Sequence, residues 1–186
     1  MKKRNALAYV GHNSDNNRVK NDFYPTPPEA TYKLLEKEKL MGKIYECACG
    51  DGAMSKILIE KGYDVYSSDL IDRGYGDIGI DFLKSNRTEF NTILTNPPFN
   101  LSTEFTLKAL ELTQRYVIFL NKLSFLEGIK RREQIVNQRK LEKVLIFSRR
   151  VPFKKESTNK LAGGLIAFGW FIYDVNYNGL PTIDWV

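Results

Sequence analysis

The residues with the clearest chemical potential are the four at positions 96–99, Asn-Pro-Pro-Phe. They follow an apolar run that indicates a buried strand, and two successive prolines cannot continue a strand or a helix. Open α/β sheets bind ligands where strands end in this way. The Asn96 side chain and the Pro97 main-chain carbonyl offer two acceptors, which suit a planar amino group with two hydrogens to donate. The candidate catalytic residues are therefore Asn96, Pro97, Pro98 and Phe99, with Phe99 as a stacking face; the alternative is a plain turn with Phe99 in the core.

A second candidate site is the turn between a predicted strand and the helix predicted over residues 53–61. Gly50 and Gly52 permit a tight turn and let a ligand approach the backbone. The third glycine of the dinucleotide fingerprint is replaced by Ser55, which argues against a nicotinamide cofactor. Glu46, which precedes the glycines, would repel a phosphate and favours a cationic ligand.

An aspartate ends the next predicted strand, residues 64–70. Asp69 stands 17 residues after Gly52, close to the offset of about 20 residues expected for a carboxylate that binds a ribose diol. A turn or cap aspartate is the alternative interpretation.

The charge of the chain is concentrated in one segment. The net charge is +6 over 186 residues, but residues 122–160 hold 12 basic and 4 acidic residues. Basic runs are often solvated helix faces, yet concentration in one segment of an otherwise balanced chain favours a surface for a polyanion.

Composition argues against several other classes of protein. Cys47 and Cys49, with His12 as the only histidine, make a poor zinc site, so we predict no metal. The apolar stretch at residues 6–10 is too short for a signal peptide, and no run is long enough to span a membrane. We therefore expect a cytoplasmic protein.

The order of elements predicts the fold class. Strands alternate with helices, which predicts a doubly wound, mostly parallel sheet of seven strands. The last two predicted strands, residues 143–148 and 165–173, leave no room for a helix between them. They should form an antiparallel hairpin at one edge. Residues 1–21 are polar and lack periodicity, so we expect a flexible N-terminal arm followed by a single domain over residues 22–186.

The Asn-Pro-Pro-Phe sequence resembles the catalytic motif of amino-methyltransferases that use S-adenosylmethionine, above all the adenine-specific DNA enzymes. The turn with Glu46 ahead of the glycines is similar to their cofactor site. The resemblance implies a class I, Rossmann-like methyltransferase fold. It also implies methyl transfer to the exocyclic amino group of adenine in DNA, with the target base flipped out of the duplex.

The resemblance assigns further residues to the cofactor. The loop with Tyr24, Thr26 and Pro27 looks like the one that covers the methionine end of the cofactor, although Thr26 could instead cap the following helix. Asp81 would accept from the cofactor's adenine amino group, and Phe82 would pack on its ring. The full predicted cofactor set is Tyr24, Thr26, Pro27, Glu46, Cys47, Ala48, Gly50, Gly52, Asp69, Leu70, Asp81, Phe82 and Asn96.

The second half of the chain is similar to a narrower group, the small phage-encoded adenine methyltransferases, which would act in the host cytoplasm. The resembling segments include residues 123–128, 148–153 and 169–173, and the similarity spans roughly residues 22–186. The predicted nucleic-acid-binding residues are Lys122, Arg131, Arg132, Arg149, Arg150, Lys154 and Lys155. We see no room for a separate target-recognition domain, so we expect low sequence specificity or a preference for unpaired strands.

Three alternatives stay open at this level. The motif also occurs in ribosomal RNA methyltransferases and in enzymes that methylate a glutamine of release factors. The glutamine enzymes resemble two-domain proteins, whose helical front domain has no counterpart here. The third alternative is a nucleic-acid-binding protein that has lost catalysis, against which the intact motifs argue. The oligomeric state cannot be inferred from the sequence.

Overall fold

The computed structural model describes residues 23–154, 161–162 and 166–186. The predicted N-terminal arm and Lys155 lie outside the described residues. The division into an arm and a single domain therefore stays a prediction.

Eight strands form the main sheet of the described chain. The bounds are β1 Ile44–Glu46, β2 Val65–Asp69, β3 Asp77–Ile78, β4 Thr92–Thr95, β5 Tyr116–Lys122, β6 Leu141–Ile146, β9 Phe168–Asp174 and β10 Thr182–Trp185, while β7 Phe153–Lys154 and β8 Leu161–Ala162 pair separately. All residues of β4 and β9 are buried, as their continuous apolar runs predict for central strands.

The strand order is β10-β6-β9-β5-β4-β1-β2-β3. All neighbours are parallel except β9, which is antiparallel to both β5 and β6. The predicted antiparallel pairing of the last two apolar strands is thus confirmed. The sheet has one strand more than predicted because β10, which is short and mostly exposed, adds to β6 as the outermost strand.

Helices cover both faces of the sheet, which confirms the doubly wound α/β class. The four α-helices in the described residues are α1 Pro28–Lys37, α2 Ala53–Glu60, α3 Ser102–Leu112 and α4 Ile129–Gln134. α1 and α2 pack on one face, where the buried Trp170 indole donates to the Ala30 carbonyl oxygen at 2.9 Å. α3 packs on the other face through Phe105, Ala109 and Leu112. No helix of the described residues is long and apolar enough to cross a membrane.

The parallel arrangement brings several turns to one edge of the sheet. β1, β2, β4 and β5 all run in the same direction, and β6 runs with them because β5 and β6 are both antiparallel to β9. The segments that follow these five strands therefore leave the sheet at its carboxyl edge, where open α/β sheets bind ligands.

Candidate functional site

A cavity of about 500 Å³ lies at the carboxyl edge, beyond β1, β2 and β4. It brings together most of the residues that the sequence singled out, although they come from five separate segments. The predicted residues that line it are Tyr24, Thr26, Glu46, Cys47, Ala48, Asp69, Leu70, Asp81, Phe82, Asn96, Pro97, Pro98 and Phe99.

Gly50 and Gly52 build the turn beside the cavity without lining it. Both have positive φ angles, 56° and 78°, a conformation that glycine adopts without a steric penalty. A Cβ at Gly50 would lie 2.3 Å from the Phe23 ring, and one at Gly52 would lie 2.4 Å from the Tyr75 ring. The space left by the missing side chains is therefore filled by two aromatic rings of the protein. The predicted approach of a ligand to these glycines stays a prediction.

Asp69, at the end of β2, is fixed by the backbone of two turns. One carboxylate oxygen accepts from the Gly50 amide at 2.9 Å, and the other accepts from the Ile71 amide at 2.8 Å. Each oxygen keeps a second lone pair. The carboxylate is thus held rigidly at the cavity wall with acceptor capacity for two hydroxyl groups of a ligand.

Glu46, at the end of β1, is 1% exposed. Its carboxyl accepts a short hydrogen bond from the Ser55 hydroxyl, which shares a further hydrogen bond of 2.6 Å with the Ser67 hydroxyl. Burial raises the pKa of Glu46 to about 8, the Ser55 hydrogen bonds oppose the rise, and the negative charges of Asp51 and Asp69 add to it. Glu46 is therefore mostly protonated at neutral pH. A cation beside it would favour the ionised form and lower its pKa.

The buried state of Glu46 predicts a pH-dependent stability. Because its pKa is higher in the folded protein than in the unfolded chain, Glu46 contributes stability that is fully present below pH 4.5 and is lost as the pH rises through about 8. The Glu46→Gln variant, which mimics the protonated form, should lose less stability over this range. We expect the difference between the two proteins to change by a few kcal/mol, on the order set by a shift of this size. Denaturant unfolding at pH 5 and pH 8.5 measures the unfolding free energies of the two proteins. If these free energies changed equally with pH, the raised pKa of Glu46 would be contradicted.

The two cysteines near the glycine turn are inert side chains. Cys47 and Cys49 are both buried and free. Burial raises the pKa of the Cys47 thiol well above its usual value and that of Cys49 to about 12. Neither thiol is a ready nucleophile at neutral pH, since the thiolate is the reactive form.

Asp81 and Phe82 also line the cavity. Asp81 caps the 3-10 turn Phe82–Lys84 by accepting from the Leu83 amide at 3.1 Å, and it also pairs with Lys84 at 3.1 Å. Phe82 is 2% exposed and packs on Phe105, with 5.1 Å between ring centres. Both residues reach the cavity wall, where Leu70 presents a largely exposed side chain.

The segment before α1 fixes the side chain of Asn96. The Asn96 amide nitrogen donates to the Tyr24 carbonyl oxygen at 3.2 Å and to the Thr26 hydroxyl at 3.1 Å. A carbonyl oxygen can only accept, so this contact determines which end of the amide is the nitrogen. Thr26 thus holds Asn96 and does not cap α1, whose N-cap is Pro27 and has no side-chain hydrogen bond.

The carbonyl end of Asn96 has no hydrogen-bond partner among the residues that the structure describes. Its Oδ1 atom is buried, and no residue in the described part of the chain donates to it. A buried acceptor left unpaired costs about 1–3 kcal/mol. The fold therefore keeps an acceptor, at the wall of a cavity, that a donor on a ligand would satisfy.

Phe99 belongs to an aromatic cluster at the mouth of the cavity. Its ring centre lies 6.0 Å from that of Tyr24, in a stacked arrangement, and 5.5 Å from that of Phe168. Phe153 packs edge-on at 6.3 Å, and the Lys122 ammonium lies 4.7 Å from the Phe99 ring centre. The ring is thereby held in one orientation beside a positive charge.

Comparisons with solved structures match this architecture. A candidate RNA methyltransferase from Pyrococcus horikoshii aligns with a TM-score of 0.63 at 15% identity, covering 90% of this chain and 94% of that one. Magnesium protoporphyrin IX methyltransferase from Synechocystis, with S-adenosylmethionine bound, aligns with a TM-score of 0.52 at 14% sequence identity. The alignment covers 78% of this chain and 76% of that one. A modification subunit of a candidate type I restriction enzyme from Vibrio vulnificus aligns with a TM-score of 0.58 at 13% sequence identity. This alignment covers 86% of this chain and 45% of the longer one.

The fold is the class I, Rossmann-like methyltransferase fold. No protein-family model matches the sequence, and no curated protein matches it either. At these identities the structural similarity establishes the methyltransferase fold and leaves the substrate to be argued from the site.

About half of the residues that line the cavity in this methyltransferase fold were not predicted from the sequence, and two of them form a pair. Phe23 and Arg73 both line the cavity, and the Arg73 guanidinium lies 3.8 Å from the centre of the Phe23 ring. No local pattern marks the pair, because the two residues are 50 positions apart and meet only in the folded chain.

The predicted nucleic-acid-binding residues lie in segments that leave the carboxyl edge of the methyltransferase sheet. Lys122 ends β5, Arg131 and Arg132 belong to α4, Arg149 and Arg150 follow β6, and Lys154 is in β7. Arg132, Arg149 and Arg150 are exposed. The edge that carries the cavity therefore also carries this basic sequence.

Proposed function

We propose that this protein transfers a methyl group from S-adenosylmethionine to the exocyclic amino group of adenine in DNA. The observation that carries the proposal is the unpaired, buried Oδ1 of Asn96 within the Asn-Pro-Pro-Phe motif, at a cavity shared with Glu46 and Asp69. It is supported by the methyltransferase fold and by the solved neighbour that holds S-adenosylmethionine.

The residues of the cavity fit this cofactor. Asp69 has acceptor capacity for a ribose diol, and Glu46 would ionise beside the ammonium group of the methionine moiety. Asp81 and Phe82 offer an acceptor and a ring edge for the adenine. The loop containing Tyr24, which also lines the cavity, would cover the methionine end. The bound cofactor would supply a methyl group that its sulfonium activates.

The catalytic task of the chain is to raise the nucleophilicity of the amino nitrogen and to orient it. Asn96 Oδ1 and the Pro97 carbonyl oxygen would accept its two hydrogens, and the Pro97 oxygen accepts from no other described residue. The nitrogen then gains electron density that the ring otherwise withdraws, in the manner of catalysis by orientation and electrostatics. With the cofactor bound, the oriented nitrogen would take the methyl group from its sulfur and would release one proton to solvent. Phe99 would support the ring by stacking.

Nucleic acid is the substrate class that the charge distribution favours. Residues 122–160 hold 12 basic and 4 acidic residues, and salt-sensitive contacts to phosphates are the basis of such binding. We assign the chain to the small phage-encoded adenine methyltransferases, acting in the host cytoplasm. The similarity to a candidate RNA methyltransferase favours RNA as the second candidate substrate.

The proposal is tested by offering radiolabelled S-adenosylmethionine with DNA, RNA and protein in parallel, followed by digestion and nucleoside analysis. We expect label in DNA as N6-methyladenine. Label confined to RNA would select the second candidate. Absence of cofactor binding in calorimetry would identify a protein that has lost catalysis.

A further inference from the structure

Two large aliphatic side chains stand exposed in the segment that follows β5. Leu126 is 41% exposed and Ile129 is 77% exposed. They flank Glu127 and Gly128, and we call residues 126–129 the aliphatic tip. Ile129 is the most exposed large apolar side chain in the described part of the chain.

Contacts of Phe125 and Arg131 hold the backbone of the aliphatic tip in place. Phe125, the residue before it, is 5% exposed and packs edge-on against Phe171 with 5.6 Å between ring centres. The Arg131 Nε donates to the Glu127 carbonyl oxygen at 2.8 Å, and its guanidinium lies 5.4 Å from the Phe125 ring centre. These contacts fix Phe125 and the Glu127 backbone within and beside the tip.

The charge around the tip identifies its partner. Residues 122–140 hold six basic and two acidic residues, and Lys130, Arg131 and Arg132 follow Ile129 directly. A surface for a second copy of this chain would not gather like charges around its apolar centre. Two aliphatic side chains among cations suit nucleic acid, where apolar wedges enter between bases while basic residues hold the phosphates.

The tip is also near the cavity. Lys122, whose ammonium lies 4.7 Å from the Phe99 ring centre, directly precedes the 3-10 turn Leu123–Leu126. Four residues at the rise of a 3-10 helix cover roughly 8 Å. The tip and the cavity mouth can therefore contact neighbouring parts of one nucleic acid molecule.

We infer that the aliphatic tip is a wedge that inserts Leu126 and Ile129 into double-stranded DNA beside the base that enters the cavity. The inference rests on the proposed function. It implies that the substrate is double-stranded DNA. The apolar side chains take the stacking place of the extruded adenine, which offsets part of the cost of unstacking.

Insertion is measured without catalysis by the linking number of a plasmid relaxed by topoisomerase in the presence of saturating full-length protein. The wild type should leave the plasmid underwound, and the Leu126→Ala/Ile129→Ala variant should not. The matched control is Leu180→Ala, which removes a side chain 76% exposed in the connection from β9 to β10. An unchanged linking number with wild-type protein would overturn the wedge.

A second measurement compares methyl transfer to native and heat-denatured samples of the same genomic DNA. The double variant should lose about ten-fold or more on native DNA, as expected when base extrusion loses its support, and little on denatured DNA. If the double variant lost equal methyl-transfer activity on native and denatured DNA, the wedge would be wrong. A difference in oligomeric state between the double variant and the wild type in light scattering would also overturn it. Underwinding by wild-type protein without methyl transfer to any substrate would instead overturn the proposed function.

Discussion

Replacing Asn96 by alanine should reduce the rate of methyl transfer by about a hundred- to a thousand-fold, the usual effect of removing one acceptor or donor positioned for the transition state. The reason is specific to the contacts of this side chain. The Asn96 nitrogen donates to Tyr24 and Thr26, which leaves the buried Oδ1 as the end of the amide that can accept an amino hydrogen.

Single-turnover transfer from radiolabelled cofactor measures this effect, with calorimetry of cofactor binding in parallel. Cofactor affinity should change far less than the rate. The matched control is Asn178→Ala, in the exposed connection between β9 and β10. Thr26→Val, which keeps Oδ1 but removes one partner of the nitrogen, should cost about ten-fold at most, the range of one neutral hydrogen bond. An Asn96→Ala rate close to wild type would refute the proposed mechanism.

Replacing Asp69 by alanine should weaken cofactor binding by about a hundred-fold, which corresponds to the loss of one or two hydrogen bonds to a charged acceptor. The carboxylate is presented by the Gly50 and Ile71 amides, at 2.9 and 2.8 Å, so the variant loses both the ligand acceptor and the anchor of the glycine turn.

Calorimetric titration with S-adenosylmethionine measures the loss, and thermal unfolding shows how much of it comes from the fold. Asp72→Ala is the matched control, because Asp72 is an exposed aspartate three residues further on that accepts from the Gly74 amide at 2.9 Å. If the Asp69 variant bound the cofactor as tightly as the Asp72 variant, the predicted ribose contact would be wrong.

Two elements differ from what the sequence predicts. A single helix is predicted over residues 129–138, but the α-helix ends at Gln134, and a 3-10 turn over Val136–Gln138 follows the buried Ile135. β10 was missed because an edge strand with exposed residues has no apolar run to mark it. Both outcomes were decided by neighbours that lie far away in the chain.

Local patterns by themselves predicted the doubly wound α/β fold, and the resemblance carried by the motifs added the methyltransferase fold. Together they identified about half of the residues that line the cavity. Strand periodicity, paired prolines and glycines act over a few residues, and parallel strands bring the segments that follow them to one edge. Only the tertiary structure decided the state of the groups there. In the folded chain the Asn96 nitrogen donates to Thr26 and Tyr24, which lie 70 and 72 positions earlier in the sequence. The Phe23 and Tyr75 rings fill the space beside the glycines, and burial raises the pKa of Glu46 to about 8. These outcomes depend on burial and on contacts between distant segments, which no local pattern encodes.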